Sequence, residues 1–217
     1  MQSSSLSSPP PAVATAVAPS DEQQLIESCQ AGHLQDFDPL YQRYVRPIFS
    51  FIYRRTRDKQ LSEDITSTVF LKALQNVHRY DSRKGSMVAW LYGIARNALT
   101  DHFRSNRHHA NIDDMWDLSS GDDTTAAADG NMNTAQLREA MSKLDPAKRE
   151  IVLLRVWDDL SYQDIAAITG KSEASCKMTF SRVIAQLRKD LPLSAFLLLC
   201  VAGGLAGHAA GRIPLCN

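Results

Sequence analysis

Between residues 78 and 107 the chain interleaves cations with flat rings. His78, Arg79, Tyr80, Arg83 and Lys84 come first, then Trp90 and Tyr92, then Arg96, Asn97, Asp101, Arg104 and Arg107. Guanidinium and ammonium groups at this density hold a phosphate backbone, and aromatic faces stack on unpaired bases. An Asn amide offers the donor and acceptor that read a base edge. Asp101 needs a basic partner beside an anion, so it reads as orienting an arginine or fixing a helix face. Trp90 and Tyr92 are equally readable as core residues.

A second pattern follows. Leu160-Ser161-Tyr162-Gln163-Asp164-Ile165-Ala166-Ala167-Ile168-Thr169-Gly170-Lys171-Ser172 reads as a short helix, a turn and the start of a second helix running to Leu191. That is a helix-turn-helix, which places its second helix in a DNA major groove. Gly170 supplies the turn conformation, and Ser172 caps the helix after it. The first turns of that helix present Glu173, Ser175, Lys177, Met178 and Ser181, with Arg182 farther on. Lys177 and Arg182 are candidate phosphate or base contacts. Ala174, Cys176, Phe180, Val183 and Leu187 read as packing residues. Leu160, Ile165, Ala166 and Ile168 are expected to pack on Leu153, Leu154 and Ile184. The competing reading is a helical hairpin that only packs against another protein.

The elements that must position these residues are helical. Ser20 is placed to cap a helix from Asp21, with Leu25, Ile26 and Cys29 as its apolar face. Phe37, Leu40, Tyr41, Tyr44, Ile48, Phe49 and Ile52 recur at helical spacing over 36–56, with Pro47 expected to bend that helix or start a new turn. A third helix fits 61–76, capped by Ser62, with Ile65, Val69, Phe70, Ala73 and Leu74 inward. Residues 80–86 read as a loop, and 87–106 as a helix with Val88, Leu91, Ile94, Ala95 and Leu99 inside. Met141 and Leu144 precede a break at Asp145-Pro146, and Ile151 to Val156 supply the next apolar run. No alternating strands or repeats compete. The expected fold class is all-α: two small helical domains joined by a flexible acidic linker, the second a helix-turn-helix domain.

Charge divides the 217 residues along the same lines, although the formal net charge is zero. Residues 40–107 hold 13 Lys or Arg against 5 Asp or Glu, and 131–190 hold 10 against 8. Residues 108–130 hold six Asp and no Lys or Arg. A polyanion therefore meets one strongly basic module and one mildly basic one, joined by an acidic strap. The expected divisions are a disordered Ser-, Pro- and Ala-rich leader (1–19), a first domain (20–107), a linker (108–132) in which Trp116 and Leu118 dock transiently, a second domain (133–190), and an apolar tail (191–217).

That tail is nearly uncharged over 191–211 and close to the lower length of a membrane span, although its glycines and His208 dilute the signal. A membrane contact, packing on the chain or a regulator, and a poorly ordered extension all remain open. Cys29, Cys176, Cys200 and Cys216 have no Cys-x-x-Cys spacing and read as reduced thiols. With no secretory signal in the leader, the expected setting is cytoplasmic, with association at the inner membrane face the variant that the tail allows. His78, His102, His108 and His109 lack further ligands in metal spacing. No Ser-His-Asp order or phosphate loop stands out. We expect no enzyme, no catalytic residues, no metal and no cofactor; the alternative is a regulator that binds duplex DNA without joining a polymerase.

Taken in order, these motifs resemble the extracytoplasmic-function group of bacterial RNA polymerase sigma factors, in the sigma-70 family, over roughly 25–107 and 134–190. Leu40-Tyr41-Gln42-Arg43-Tyr44 is similar to the family's opening motif. The run from Ser62 to Ala73 resembles its polymerase-binding helix, and Phe70 to Asp101 its promoter-melting part. Leu144 to Arg149 and Leu153 to Arg188 resemble the module that reads the upstream promoter element. The resemblance implies binding of core polymerase, recognition of minus-35 and minus-10 elements, and melting of DNA. It places Asp64, Phe70 and Lys72 at the clamp of the largest polymerase subunit. It places Tyr80, Arg83, Lys84, Trp90, Arg96, Asn97, Asp101 and Arg104 at the minus-10 element, with the loop 80–86 capturing an extruded base. Ser172, Glu173, Ser175, Lys177, Met178, Ser181 and Arg182 fall at the minus-35 element. Implied partners are core RNA polymerase (clamp and beta flap), promoter DNA and an anti-sigma factor, with membrane contact through 191–211 open. Two departures stand out. Ser67-Thr68 replaces a common Gln-Glu pair, and Met178-Thr179-Phe180 replaces a common Ser-Arg-Leu.

Overall fold

The computed structural model describes residues 19–105 and 128–202, and every regular element among them is helical. In the first half, α1 (Pro19–Gln30) leads through a 3-10 turn (Leu34–Phe37) into α2 (Asp38–Thr56). Next come α3 (Lys59–Asn76), a 3-10 turn (Val77–Arg79) and α4 (Met87–Ser105). The second half contains α5 (Ala128–Ser142), α6 (Pro146–Val156), α7 (Tyr162–Thr169), α8 (Glu173–Asp190) and α9 (Leu193–Ala202).

The caps explain several boundaries. α2 stays helical through Pro47 and ends where Arg57 turns left-handed at φ 54°. The helix that follows begins two residues before the expected 61–76 span. Its cap is Asp58, whose side chain accepts from Leu61 N at 3.1 Å. Ser62, expected in that role, is instead buried and hydrogen-bonded to Thr56 Oγ1 at 2.6 Å. A carboxylate at the extended residue reaches the free N–H groups, whereas a serine one turn inside the helix cannot. Asp145 caps α6 ahead of Pro146, and Ser161 and Ser172 cap α7 and α8. α5 starts at Ala128, so residues 128–132 belong to a helix and not to a linker. Residues 1–18 of the expected leader (1–19), residues 108–127 of the expected linker (108–132), with Trp116 and Leu118, and the expected tail beyond Ala202 lie outside the described residues.

Two apolar cores result. The first gathers α1 to α4 around Leu40, Ile48, Phe51, Ile52, Leu91 and Tyr92, all nearly solvent-free. It also takes in Ile151, Leu154, Leu160, Ile165, Ile168 and Cys176 from the second half. The second core contains Leu137, Met141, Val152, Leu153, Val156 and Leu187. α6 serves both, with Ile151 and Leu154 facing one way and Val152, Leu153 and Val156 the other. The expectation that Leu160, Ile165 and Ile168 pack with Leu153 and Ile184 therefore needs correcting: of the named partners, Leu154 shares their cluster, while Leu153 and Ile184 belong to the other. Among the residues expected to pack on α8, Ala174 is exposed.

Arg149 fixes the α5–α6 corner. Its buried guanidinium donates to the carbonyls of Met141, Ser142 and Leu144, each at 3.0 Å. Such charge-assisted bonds satisfy the carbonyls left free where α5 ends.

The described part of the tail forms α9, which buries Ala195 and Leu199 in the second core. Ser194 Oγ also donates to Asn133 Oδ1 at 2.9 Å. Among the described residues, no helix is long and apolar enough to cross a membrane. Leu199 is fully buried, so Leu199→Ala leaves a cavity in the second core. Urea unfolding should show a loss of about 2–5 kcal/mol; an unchanged midpoint would place α9 outside the folded unit.

Candidate nucleic-acid interface

The loop before α4 is held from below. Gln30 of α1 donates to the carbonyls of Val77 at 3.0 Å and Tyr80 at 2.8 Å. Tyr80 turns inward, with its ring 5.4 Å from that of Trp90 and its hydroxyl donating to Gly85 O at 3.0 Å. Burial pushes its phenol pKa up. Tyr80 is thus a brace for the loop, not an open stacking platform in this conformation, because its ring fills the gap between the loop and Trp90. Trp90 is half-buried, and Tyr92 is a core residue at 1% exposure.

The loop's cations differ in availability. Arg83 is gripped by Asp81, with Nε–Oδ1 and Nη2–Oδ2 both 3.0 Å, which holds the Asp81 carboxyl below its ordinary range. Lys84 is exposed; its backbone N–H donates to Asp81 O at 2.9 Å, and its charge adds to that of Arg83 in lowering the Asp81 carboxyl pKa. Arg96, Asn97, Asp101 and Arg104 follow along the exposed face of α4, while Leu91, Ala95, Ala98 and Leu99 face the core. The 3.6-residue period brings these four polar side chains onto one face.

The α3 residues divide by depth. Asp64 and Lys72 are exposed, whereas Phe70 is buried, 4.9 Å from the Tyr41 ring in an edge contact. Phe70 therefore supports the surface from beneath. Thr68 Oγ1 donates back to Asp64 O and Ser67 Oγ to Glu63 O, each at 2.9 Å. Both hydroxyls serve their own helix, as short polar side chains in helices do. Leu71 and Tyr41, absent from the expected site, are large apolar residues at 56% and 38% exposure. Leu71 was traceable in the sequence, since it lies seven residues after Asp64 on the same helical stripe.

The helix-turn-helix has its expected geometry. Gly170 closes α7 at φ 70°, and Ser172 Oγ accepts from Ser175 N at 3.2 Å. Glu173, Ser175, Lys177, Met178, Ser181 and Arg182 are exposed, while Cys176, Val183 and Leu187 are buried.

Contacts between the halves had no counterpart in the expected site. Asp158, in the turn after α6, pairs with Arg54 of α2 and accepts from Tyr92 Oη at 3.0 Å. Burial and the Asp158 charge both push the Tyr92 phenol up. Next to this pair Arg55 is buried, its guanidinium 3.8 Å over the Phe51 ring, and burial pulls its pKa down to about 10. Arg96 of α4 meets Glu150 of α6 in a fork, Nε–Oε1 3.0 Å and Nη2–Oε2 3.3 Å. Ser86 hydrogen-bonds Asp164 of α7.

Comparison with known proteins gives the family. Residues 40–109 match Sigma-70 region 2, and residues 134–187 match Sigma-70, region 4. The extracytoplasmic-function (ECF) RNA polymerase sigma factor SigM of Bacillus subtilis is 30% identical over 70% of this chain and 92% of its own. The chain belongs to the ECF sigma factors. The ECF sigma factor BldN of Streptomyces coelicolor is 32% identical over 78% of this chain, which spans 65% of BldN. A co-crystal structure of the sigma factor RpoE with the anti-sigma factor NepR from Bartonella quintana shares the fold at 19% identity. Its TM-score is 0.53, over 71% of this chain and 96% of that one. As a sigma factor, the chain binds core RNA polymerase and promoter DNA and is not an enzyme. Its α1–α4 half carries region 2 and its α5–α8 half carries region 4.

Because Lys84 is solvated and takes no part in packing, Lys84→Ala should leave thermal stability unchanged. If it neutralises a phosphate, the slope of log K against log salt for single-stranded promoter DNA should fall by about 0.7. Titration at several salt concentrations checks both; an unchanged slope removes Lys84 from the interface.

Proposed function

We propose that this ECF sigma factor reads its promoter in two places. Region 2 melts the minus-10 element, and region 4 docks α8 at the minus-35 element. The observation that carries this reading is the exposed Arg96–Asn97–Asp101–Arg104 face of α4, in the same chain as a capped α8 whose polar face is open. Arg96, Arg104, Lys84 and Arg83 hold the backbone, and Asn97 reads a base of the separated strand. Trp90, half-buried, is the candidate ring for a captured base, with Tyr80 packed against it. Each captured base returns about 1–3 kcal/mol through stacking. Because only the opened strand gains these contacts, binding shifts the duplex toward melting.

On α8, Lys177 and Arg182 supply the cations, with Ser172, Glu173, Ser175, Met178 and Ser181 around them. Thr179, where an arginine is common, takes one cation from this surface, so promoter affinity leans on region 2. The clamp of the largest polymerase subunit meets α3 through Asp64 and Lys72, supported by Phe70. With Ser67 and Thr68 turned onto their own helix, Leu71 and Tyr41 add the apolar part of that contact. The beta flap meets region 4.

The two regions act as separate domains joined by an acidic, flexible segment, and the setting is the cytoplasm, where polymerase is found. An anti-sigma factor is a further partner, supported by the fold shared with a sigma factor crystallised with one. Burial of Ala195 and Leu199 favours a tail packed on the chain over a membrane contact through 191–211.

Run-off transcription with core polymerase on genomic fragments, followed by mapping of starts, tests the reading. Asp64→Ala should weaken core association at least several-fold in a pull-down while leaving the fold intact. Asn97→Ala should keep core association and lose open-complex formation. Unchanged core binding by Asp64→Ala would remove its assignment, and normal opening by Asn97→Ala would remove the base-reading role.

A further inference from the structure

We propose that Gln30 is a positioning residue for promoter opening: from the end of α1, its side-chain amide sets the place of the loop 80–86 that meets the separated strand. The inference rests on the assignment of that loop and α4 to the minus-10 element. α1 lies ahead of residues 40–109, the segment that matches Sigma-70 region 2, so Gln30 acts on that module from outside it.

The two ends of the loop are held differently. At the far end Ser86 caps α4, its Oγ accepting from Ala89 N at 3.1 Å. At the near end the chain leaves the 3-10 turn Val77–Arg79, which is closed from Tyr80 N to Val77 O at 3.0 Å. A short 3-10 turn has poorer hydrogen-bond geometry than an α-helix and holds its exit loosely. Gln30 reinforces it. Its amide nitrogen carries two hydrogens, and they reach the carbonyls of Val77 at 3.0 Å and Tyr80 at 2.8 Å. Those carbonyls bracket the turn, so one side chain fixes the bend from both sides. Tyr80 is also the residue whose ring packs on Trp90 and whose hydroxyl donates to Gly85 O. The place of the candidate base-capturing ring is therefore set in part from α1.

α1 is a firm post for this task. Ile26 and Cys29 are buried in the first core. Glu22 pairs with Arg43 at 2.8 Å and accepts from Tyr44 Oη at 2.6 Å, which ties the helix to α2. Gln30 itself is exposed and adds little to the core, so its removal should act on the loop and not on the fold. A loop held in place before the strand arrives needs less ordering on binding. A released loop is competent for only part of the time, and the apparent affinity falls by that fraction.

Two variants test the role. Gln30→Met keeps the length of the side chain and removes both donors. Gln30→Glu keeps its shape and turns a carboxylate toward two carbonyl oxygens. The full chain, assembled with core polymerase, is titrated with single-stranded DNA carrying the non-template minus-10 sequence of a mapped start. A typical net hydrogen bond shifts an equilibrium about fivefold, so both variants should bind this strand roughly five- to thirtyfold more weakly. Core association and melting temperature should match the unaltered protein. Hydrogen exchange should quicken over 77–90 while α2 and α3 keep their protection. Unchanged strand affinity in both variants overturns the proposal. A loss of affinity matched by weaker core association, or by faster exchange throughout region 2, assigns Gln30 to the fold alone and overturns it as well. If the unaltered holoenzyme does not hold the strand, the minus-10 reading itself fails, and this role with it.

Discussion

Helix α6 is apolar on two sides, and the arrangement of the described chain depends on that constraint. Ile151 and Leu154 must be covered in one direction and Val152, Leu153 and Val156 in the other. This 11-residue helix packs against region 2 on one side and against α5, α8 and α9 on the other. Hydrophobic burial is non-directional and fixes no unique register. Polar contacts around the rim supply the register: Asp158 with Arg54 and Tyr92, Glu150 with Arg96, and Asp164 with Ser86.

The functional surfaces follow from how each helix spends its inward face. On α4 the small and aliphatic residues go to the core, which leaves Arg96, Asn97, Asp101 and Arg104 outward. On α8, Cys176, Val183 and Leu187 anchor the helix, leaving its first turns open to a groove. On α3, Phe70 is sacrificed to the interior, and Leu71 is the large apolar side chain that remains outside. Recognition here needs no reacting group. It needs charge, planar rings and one amide held on rigid helices, which lowers the ordering cost of binding.

Much of this was legible in the residues. Helical spacing located α4 to within one residue, and the Gly170–Ser172 pair located the turn of the helix-turn-helix because each plays a backbone-specific role. Periodicity reveals that a face is buried but not what covers it. Hence, of the neighbours expected for Leu160, Ile165 and Ile168, only Leu154 shares their cluster, and the inter-region contacts of Arg54, Glu150 and Asp158 carried no local signal. Tyr80 illustrates the same limit: a tyrosine beside arginines reads as a stacking ring until Trp90 and Gly85 claim its two ends. The cap of α3 was misplaced because Asp58 and Ser62 are both plausible capping residues, and only the extended backbone at Asp58 separates them. The uncharged tail was ambiguous for a different reason. Apolar composition is shared by a membrane segment and a helix that completes a core, and the burial of Leu199 favours the second.

The central claim is that region 2 of this chain stabilises a separated DNA strand while region 4 holds the upstream duplex. The direct measurement is permanganate reactivity of thymines at a promoter bound by core polymerase and this protein. The account predicts unpaired thymines confined to the minus-10 region, dependent on this chain and lost with Asn97→Ala. Thymines that stay unreactive in a specifically bound complex would contradict it.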